Sequence, residues 1–350
     1  MHHPGSNFVV STLVFGGALL LPQDGRGAAA PRVKRVINNL QVIDFSIPQQ
    51  TGESATLTTR MEAYKAPGVS IAVINDGAIE WARGFGVLKA GDTARVSEQS
   101  IFQAASVSKY VTAILVLHLV DGKRLDLDAD VNRYLKTWKI PDGAFTKDKK
   151  VTLRYLLSHQ AGMPNVDNVT QEEGQPEATL AQILGGRKPA LTPPAVPGWE
   201  PGSRWSYSNI GYTVIQLLLE DVTGKPFPRL AEEVLFRPLG MSSSSFSYPL
   251  PEAWRKREAW PHDSNGHPRT PEQDGAAKTM GGLLTTPGDL ALLTLDVVRA
   301  YQGVPNRIIS PETARLLVTR QTGVPTEALG LPLSEGLGVF IDDTTQEVCF

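Results

Sequence analysis

Ser106 and Lys109 are the first pair of residues in this sequence whose types and spacing could support chemistry. They open and close the segment Ser-Val-Ser-Lys. If that segment begins a helix, residues three apart lie on one face, and the lysine amine can approach the serine hydroxyl. A serine hydroxyl is a weak nucleophile that needs a neighbouring base. The pair therefore indicates a nucleophilic serine, although an N-cap serine followed by a solvated lysine fits the same residues.

Tyr207 and Asn209 form a second candidate pair, in a loop that runs into an apolar helix. One residue separates them, so in an extended segment both side chains point to the same side. A tyrosine beside a lysine ammonium can have its pKa lowered enough to carry a proton. Asn209 could donate to a substrate carbonyl and hold Lys109. Taken alone, an aromatic anchor and a helix N-cap asparagine explain this pair better.

The composition is that of an ordinary globular protein and excludes several classes of function. The chain has 350 residues, of which 41% are hydrophobic and 20% charged, and its net charge is −2. This charge does not favour nucleic acid or an anionic membrane as a partner. The single cysteine, Cys349, cannot close an intramolecular disulfide. We find no clustered Cys and His, no H-E-x-x-H, no phosphate-binding glycine loop and no G-x-S-x-G, so we expect no metal or cofactor.

The N-terminal segment predicts export. Residues 8–21 form an apolar run that is shorter than the roughly 20 residues of a membrane span. Three alanines at residues 28–30 follow it, and small residues of this kind are typical of signal-peptide cleavage sites. We therefore expect residues 1–30 to be a signal peptide and the mature protein to be secreted or periplasmic, without a stable membrane span.

Strand-like segments at both ends of the chain enclose a helical middle. A hairpin is predicted for residues 69–87, with its turn at Asn75-Asp76-Gly77. A helix begins at Ser106 and ends near Gly122. Further helices are predicted at residues 56–65, 152–157, 210–222, 228–235, 286–300 and 311–319, strands at 337–341 and 347–350, and irregular loops at 167–201.

These elements predict an α+β fold. Residues 31–105 and 301–350 are expected to form one antiparallel sheet from both termini, flanked by helices. Residues 106–300 form a mainly helical region that is inserted between them and carries the candidate site.

Three segments, in this order, resemble the serine β-lactamase-related family, which includes class C β-lactamases, D-Ala-D-Ala carboxypeptidases and family VIII-type carboxylesterases. Residues 101–109 resemble its S-x-x-K box, and residues 207–209 resemble its Y-x-N box. Between them, residues 156–164 are similar to the segment L-L-x-H-x-S-G-L-P, with Ala161 where serine is usual. The resemblance extends from about residue 62 to residue 350 and implies the β-lactamase and penicillin-binding-protein fold.

The resemblance implies a role for each candidate residue. Ser106 is the acylated nucleophile, Lys109 and Tyr207 together form its base, and Asn209 orients the substrate and Lys109. The substrate is a small-molecule ester, β-lactam or D-amino-acid peptide. We expect a carboxylesterase or β-lactamase; the alternatives are a D-alanyl-D-alanine carboxypeptidase and a non-catalytic penicillin-binding or scaffold homologue. The oligomeric state stays open.

The third box of the family has no clear counterpart in this sequence. Relatives carry K-T-G or H-x-G on a strand beside the nucleophile, just after a segment that resembles residues 347–350. Lys278-Thr279-Met280 lacks the glycine and is not expected to replace that box. We therefore expect the third box beyond Phe350, and weak turnover by a chain without it.

Overall fold

The computed structural model describes residues 29–40, 55–271, 275–323 and 332–349. Its helices are α1 (Ala29–Asn38), α2 (Leu57–Ala63), α3 (Val107–Asp121), α4 (Leu153–Leu157), α5 (Leu180–Gly185), α6 (Asn209–Thr223), α7 (Phe227–Ala231), α8 (Arg237–Leu239), α9 (Glu252–Arg255), α10 (Pro287–Tyr301) and α11 (Pro311–Leu317). Its strands are β1 (Gly68–Asn75), β2 (Ala78–Gly86), β3 (Phe102–Gln103), β4 (Leu284–Thr285), β5 (Leu333–Glu335), β6 (Phe340–Asp342) and β7 (Val348–Cys349).

Two buried helices, α3 and α6, form the centre of the main hydrophobic core. In α3 almost every residue from Val107 to Leu119 is buried, and in α6 the run from Ile210 to Leu219 is buried. A helix that is buried on all sides is expected to be mostly apolar on all sides, and both sequences are. Their buried polar side chains, such as Lys109 and Gln216, form hydrogen bonds. Helices α4 and α5 pack on α6, and α11 packs on α3. Both central helices begin at a predicted site motif, so the core fixes where those motifs lie.

The predicted N-terminal hairpin is confirmed. Strands β1 and β2 pair antiparallel, from Gly68 opposite Gly86 to Asn75 opposite Ala78. At the turn, Asp76 and Gly77 have φ angles of 49° and 72°. Positive φ at both central residues defines the tight turn that Asp-Gly favours. Helix α10 packs on this hairpin.

The strands at the end of the chain differ in part from their prediction. The two predicted strands are present as β6 and β7, and an unpredicted strand, β5, pairs with β6. The prediction of one sheet built from both termini is wrong for the described part of the chain. There the N-terminal hairpin β1–β2 is one sheet and the strands β5–β6–β7 are another, with no hydrogen bond between the two. The fold class is α+β, as predicted.

One further difference lies in the region predicted as irregular loops, residues 167–201. It contains the short helix α5, whose N-cap Thr179 and third residue Gln182 bond each other's backbone N–H groups. This reciprocal capping box stabilises a helix start and has a recognisable spacing in sequence. The prediction of irregular loops is wrong at this helix, and the spacing of Thr179 and Gln182 is the signal that could have indicated it.

The apolar run at residues 8–21, on which the export prediction depends, lies outside the described residues. Among the residues that the structure describes, no helix combines the length and the apolarity that crossing a bilayer requires.

Candidate active site

Ser106 occupies the N-cap position of α3 but does not use its hydroxyl as a cap. Its Oγ lies 2.8 Å from the Tyr207 hydroxyl and 3.2 Å from the Lys109 Nζ. Lys109 is only 4% exposed, so the reading of a capping serine followed by a solvated lysine is wrong. The structure brings all three predicted reactive groups together around one exposed hydroxyl.

The backbone before Ser106 adopts a conformation that the surrounding structure has to impose. Ala105 has a φ angle of 44°, in the left-handed region that costs a non-glycine residue about 1 to 2 kcal/mol. The buried Ser108 hydroxyl donates to the Ala105 carbonyl at 2.6 Å and accepts from the Leu283 N–H at 3.0 Å. Ala104 N–H donates to the Leu283 carbonyl at 2.8 Å. These bonds tie the turn that presents Ser106 to the residues beside β4.

The other serines near the site have structural hydrogen bonds. Ser158 Oγ donates to the Arg154 carbonyl at 2.7 Å. Ser208 Oγ donates to the Pro164 carbonyl at 2.7 Å and also caps α6. Both serines are buried, whereas Ser106 is exposed beside an amine and a phenol. Ser106 is therefore the serine whose surroundings suit a nucleophile.

Lys109 is held by a backbone carbonyl that sequence reasoning missed. Its Nζ donates to the Met280 carbonyl at 2.5 Å and lies 4.9 Å from the centre of the Tyr207 ring. Met280 ends the Lys-Thr-Met segment considered above. Thr279 of that segment is fully buried, and its Oγ1 donates to the Tyr212 carbonyl at 2.7 Å. The segment therefore holds the Lys109 amine in place through its backbone. Sequence reasoning missed this contact because any residue type can supply a backbone carbonyl.

The pKa of Tyr207 is raised to about 12. Burial is the main cause, the hydrogen bond with Ser106 lowers the pKa, and the charge of Glu335 raises it. The expectation that the neighbouring lysine lowers this pKa is therefore wrong, because burial disfavours the phenolate more strongly. At neutral pH Tyr207 is a phenol, which can donate a proton.

His159 holds the backbone on both sides of Tyr207. The His159 carbonyl accepts from the Ser206 N–H at 2.8 Å, and its Nδ1 accepts from the Ser208 N–H at 3.1 Å. The imidazole lies against the phenol ring, with 4.3 Å between the ring centres. Burial lowers the pKa of His159 well below its usual range, and the positive charge of Lys109 lowers it further. His159 is therefore neutral, and because Nδ1 accepts, its proton is on Nε2.

Glu335 lies on the unpredicted strand β5 and is a buried polar neighbour of His159 and Trp205. Its Oε2 accepts a hydrogen bond from Trp205 Nε1, and its Oε1 lies 3.7 Å from His159 Nε2. The side chain is almost fully buried, and burial raises the pKa of the carboxyl well above its usual range, against the opposing effects of the Trp205 bond and the Lys109 charge. Sequence reasoning missed this residue.

Asn209 is the first residue of α6 and makes a different contact from the one implied by the resemblance. Its Nδ2 donates to the Val166 carbonyl at 2.8 Å. Its Oδ1 is buried and has no hydrogen-bond partner among the described residues. Asn209 lies near the site, but among the described residues its side chain does not form the predicted hydrogen bond to Lys109.

The reactive groups of the site are a hydroxyl, an amine and a phenol, which suit nucleophilic attack and proton transfer. Within the described ranges, no three His, Cys, Asp or Glu side chains converge as ligands for a metal ion.

Comparison with known proteins gives one family. The family model described as beta-lactamase matches residues 54–348. Penicillin-binding protein 4 of Amycolatopsis lactamdurans is 30% identical over 272 residues, which cover 74% of this chain and 67% of that protein. A putative D-alanyl-D-alanine carboxypeptidase of Escherichia coli O157:H7 is 24% identical over 332 residues, covering 83% of this chain and 75% of the relative.

Solved structures with the same fold include a penicillin-binding protein homologue and a hydrolase. The octameric homologue from Pyrococcus abyssi has a TM-score of 0.65 and 26% identity, over 81% of this chain and 63% of its own. EstCE1, a hydrolase with promiscuous acyltransferase activity, has a TM-score of 0.64 and 19% identity, over 83% of this chain and 90% of its own. At 19% identity the second likeness concerns the fold alone.

Proposed function

Since the chain belongs to the beta-lactamase family, we propose that it is a serine hydrolase that forms an acyl-enzyme on Ser106. The observation that supports this proposal is the three-way contact of the Ser106 hydroxyl with the Lys109 amine and the Tyr207 hydroxyl. Each of these contacts is short enough for direct proton transfer. Lys109 and Tyr207 are thus the proposed acid–base groups.

In the proposed acylation, Lys109, which is positively charged at rest, first releases a proton to solvent. The Ser106 oxygen then attacks the substrate carbonyl while its proton passes to the Lys109 amine. The bond between the carbonyl carbon and the leaving group then breaks, and Tyr207 protonates the leaving group. This order is supported by the raised pKa of Tyr207, which makes the phenol a better donor at rest than an acceptor. Lys109 then returns its proton to Tyr207, and water releases the acyl group by the reverse transfers.

The backbone around Ser106 suits the developing negative charge of the tetrahedral intermediate. The serine stands at the start of the 15-residue helix α3. The N-terminus of a helix carries partial positive charge and unpaired N–H groups. We therefore propose the Ser106 N–H as one donor to the oxyanion.

Among the three substrate classes we propose esters first. A β-lactam or peptide substrate with an acylamino group presents a carbonyl that an amide N–H would have to recognise. The Asn209 amide, the side chain placed to do so, already donates to the Val166 carbonyl. The amide has a second N–H, which a simple ester does not need, so we place the ester first because it makes the smaller demand on this side chain.

The test is hydrolysis of p-nitrophenyl butyrate, of nitrocefin and of a D-alanyl-D-alanine peptide by the same preparation. We expect the ester to give the highest kcat/KM, and we expect Asn209→Ala to change the ester KM by less than about 3-fold, because discrimination needs a contact that is made. Higher kcat/KM for nitrocefin or the peptide would contradict the ester proposal. Acylation of Ser106 without turnover would favour a non-catalytic penicillin-binding homologue.

The apolar segment at residues 8–21 supports placing this activity outside the cytoplasm. We propose that the protein works as a secreted or periplasmic hydrolase once the segment is cleaved.

A further inference from the structure

We propose that Glu335 is a positioning residue, which holds Tyr207 against Ser106 through His159 and Trp205. The inference rests on the proposed function of Ser106 and Tyr207. It concerns a side chain that does not contact the nucleophile and that lies on β5, far along the chain from both motifs.

Tyr207 is held in place by its sequence neighbours, Ser206 and Ser208. Ser206 N–H and Ser208 N–H, on either side of it, both donate to His159, one to the carbonyl and one to Nδ1. The His159 ring also lies against the phenol. Any movement or rotation of the imidazole therefore changes the position of the Tyr207 hydroxyl.

Glu335 contacts two neighbours of Tyr207, Trp205 and His159. The carboxyl accepts from the Trp205 indole N–H on one oxygen, and its other oxygen faces the proton-bearing Nε2 of His159. The indole N–H therefore donates to one oxygen, whereas Nε2, at 3.7 Å from the other oxygen, is beyond hydrogen-bond distance and interacts with it through its polarity. Once it has released its proton, the carboxyl can accept from the indole and attract the Nε2–H at the same time, whereas a carboxamide cannot ionise and always offers one acceptor and one donor. The identity of this side chain, and not only its size, matters for holding the imidazole.

Two glycines directly after β5 let the chain pass close to α3 and α11, which places Glu335 beside the site. A Cβ on Gly336 would lie 2.2 Å from the Leu317 carbonyl oxygen. Gly338 has a φ angle of 77°, and a Cβ there would lie 2.7 Å from the Tyr212 hydroxyl and 2.9 Å from the Ala113 Cβ. Only glycine fits such contacts, so these two positions fix the path that places Glu335 behind the site.

Glu335 also affects Tyr207 through its charge. The titratable groups that face the Glu335 carboxyl are Lys109 from α3, His159 from the loop after α4, and Tyr207 and Tyr212 from the α6 side. Burial raises the pKa of Glu335, and a negative charge there raises the pKa of Tyr207 in turn. Proton release from Glu335 therefore changes the acid strength of the group that contacts Ser106 Oγ.

The experiment compares the whole protein with its Glu335→Gln variant, which conserves volume. At a pH where Glu335 of the wild type is ionised, we expect kcat for p-nitrophenyl butyrate to fall by about 10- to 100-fold with little change in KM, because a displaced acid–base group lowers the rate without removing a substrate contact. We also expect the pH profile of kcat to lose one ionisation. In ¹⁵N NMR spectra, the His159 ring nitrogens should shift from their wild-type values, since the ionisable carboxyl 3.7 Å from Nε2 is replaced by a neutral amide.

Glu258→Gln is the matched control, because Glu258 is also a buried glutamate but interacts with Arg255. It should leave kcat, the pH profile and the His159 resonances unchanged. Trp205→Phe removes the indole donor from the same carboxyl and should alter the pH profile and His159 resonances as Glu335→Gln does. It provides the answer if Glu335→Gln does not fold.

Wild-type kcat, pH profile and His159 resonances in Glu335→Gln would overturn the inference. The failure of the proposed function looks different: wild-type protein would then neither hydrolyse the ester nor take up a fluorophosphonate probe at Ser106. In that case the His159 resonances still report whether Glu335 holds the imidazole.

Discussion

The two halves of the candidate site are held in place in different ways. Ser106 and Lys109 lie within one turn at the start of α3, so their spacing places both side chains on one face, and distant backbone groups then hold them there. Tyr207 depends on distant segments, because its loop bonds His159 from 49 positions away and Glu335 from 130 positions away. The nucleophile half is therefore encoded mainly by local sequence, whereas the Tyr207 half exists only once the chain is folded.

The largest effect should come from the local half. In Ser106→Ala, we expect hydrolysis of p-nitrophenyl butyrate to fall by at least about 10³-fold and fluorophosphonate labelling to disappear, because the nucleophile itself is removed. Mass spectrometry of the labelled protein identifies the modified residue.

Ser108→Ala is the matched control for that experiment. Its hydroxyl joins the Ala105 carbonyl to the Leu283 N–H, so its loss should cost about 1 to 3 kcal/mol of unfolding free energy. Ser106 should still be labelled in this variant. Label that persists in Ser106→Ala, at Ser108 or another serine, would show that the nucleophile is assigned incorrectly.

The next effect tests the distant half. Tyr207→Phe keeps the ring that lies against His159 but removes the hydroxyl 2.8 Å from Ser106 Oγ. General acid–base groups contribute about 10² to 10⁴-fold, so we expect kcat to fall by that factor while the melting temperature changes little.

Tyr110→Phe serves as its control, because Tyr110 is a buried tyrosine of α3 that does not contact Ser106 Oγ. It should leave kcat unchanged and lower the unfolding free energy by about 1 kcal/mol. If Tyr207→Phe hydrolyses the ester at the wild-type rate, Tyr207 is a structural aromatic, and Lys109 alone is the base.

The difference between the halves also explains how much of the molecule could be predicted. The apolar pattern of α3, the Asp76-Gly77 turn and the spacing of Ser106 and Lys109 are local signals, and each was confirmed in the structure. The fold class and the helices that position the motifs followed from the same kind of signal.

What the sequence did not reveal depends on contacts between distant segments. Strand β5 has three residues, Leu333, Ser334 and Glu335, and all are buried, so it lacks the alternation that marks a strand with one exposed face. A glutamate is also among the residues least expected in a buried strand. The contact of Asn209 with the Val166 carbonyl was likewise invisible, because it depends on how two loops meet.

The smallest effect that we predict is on stability, and it concerns the distant half alone. Because the pKa of buried His159 is well below its usual value, the unfolded chain binds a proton below about pH 6.5 that the folded protein does not bind. The free energy of unfolding should therefore fall with falling pH, by up to about 1.4 kcal/mol per pH unit from this group.

His159→Asn isolates that contribution. Asparagine tolerates the left-handed φ of 55° at this position, and its Oδ1 can replace Nδ1 as acceptor for the Ser208 N–H. We expect the variant to be less stable at pH 7, since the ring against Tyr207 is lost. Between pH 7 and pH 5, its free energy of unfolding in urea should fall by about 1 to 2 kcal/mol less than that of wild type.

Glu335 affects the pH dependence with the opposite sign, because its raised pKa keeps a proton on the folded protein that the unfolded chain releases above its ordinary pKa. That contribution is present in both proteins, so it largely cancels in the difference. Equal pH dependence in the two proteins would mean that His159 gains its proton without unfolding, and that the distant half of the site tolerates a charge where the structure has a neutral ring.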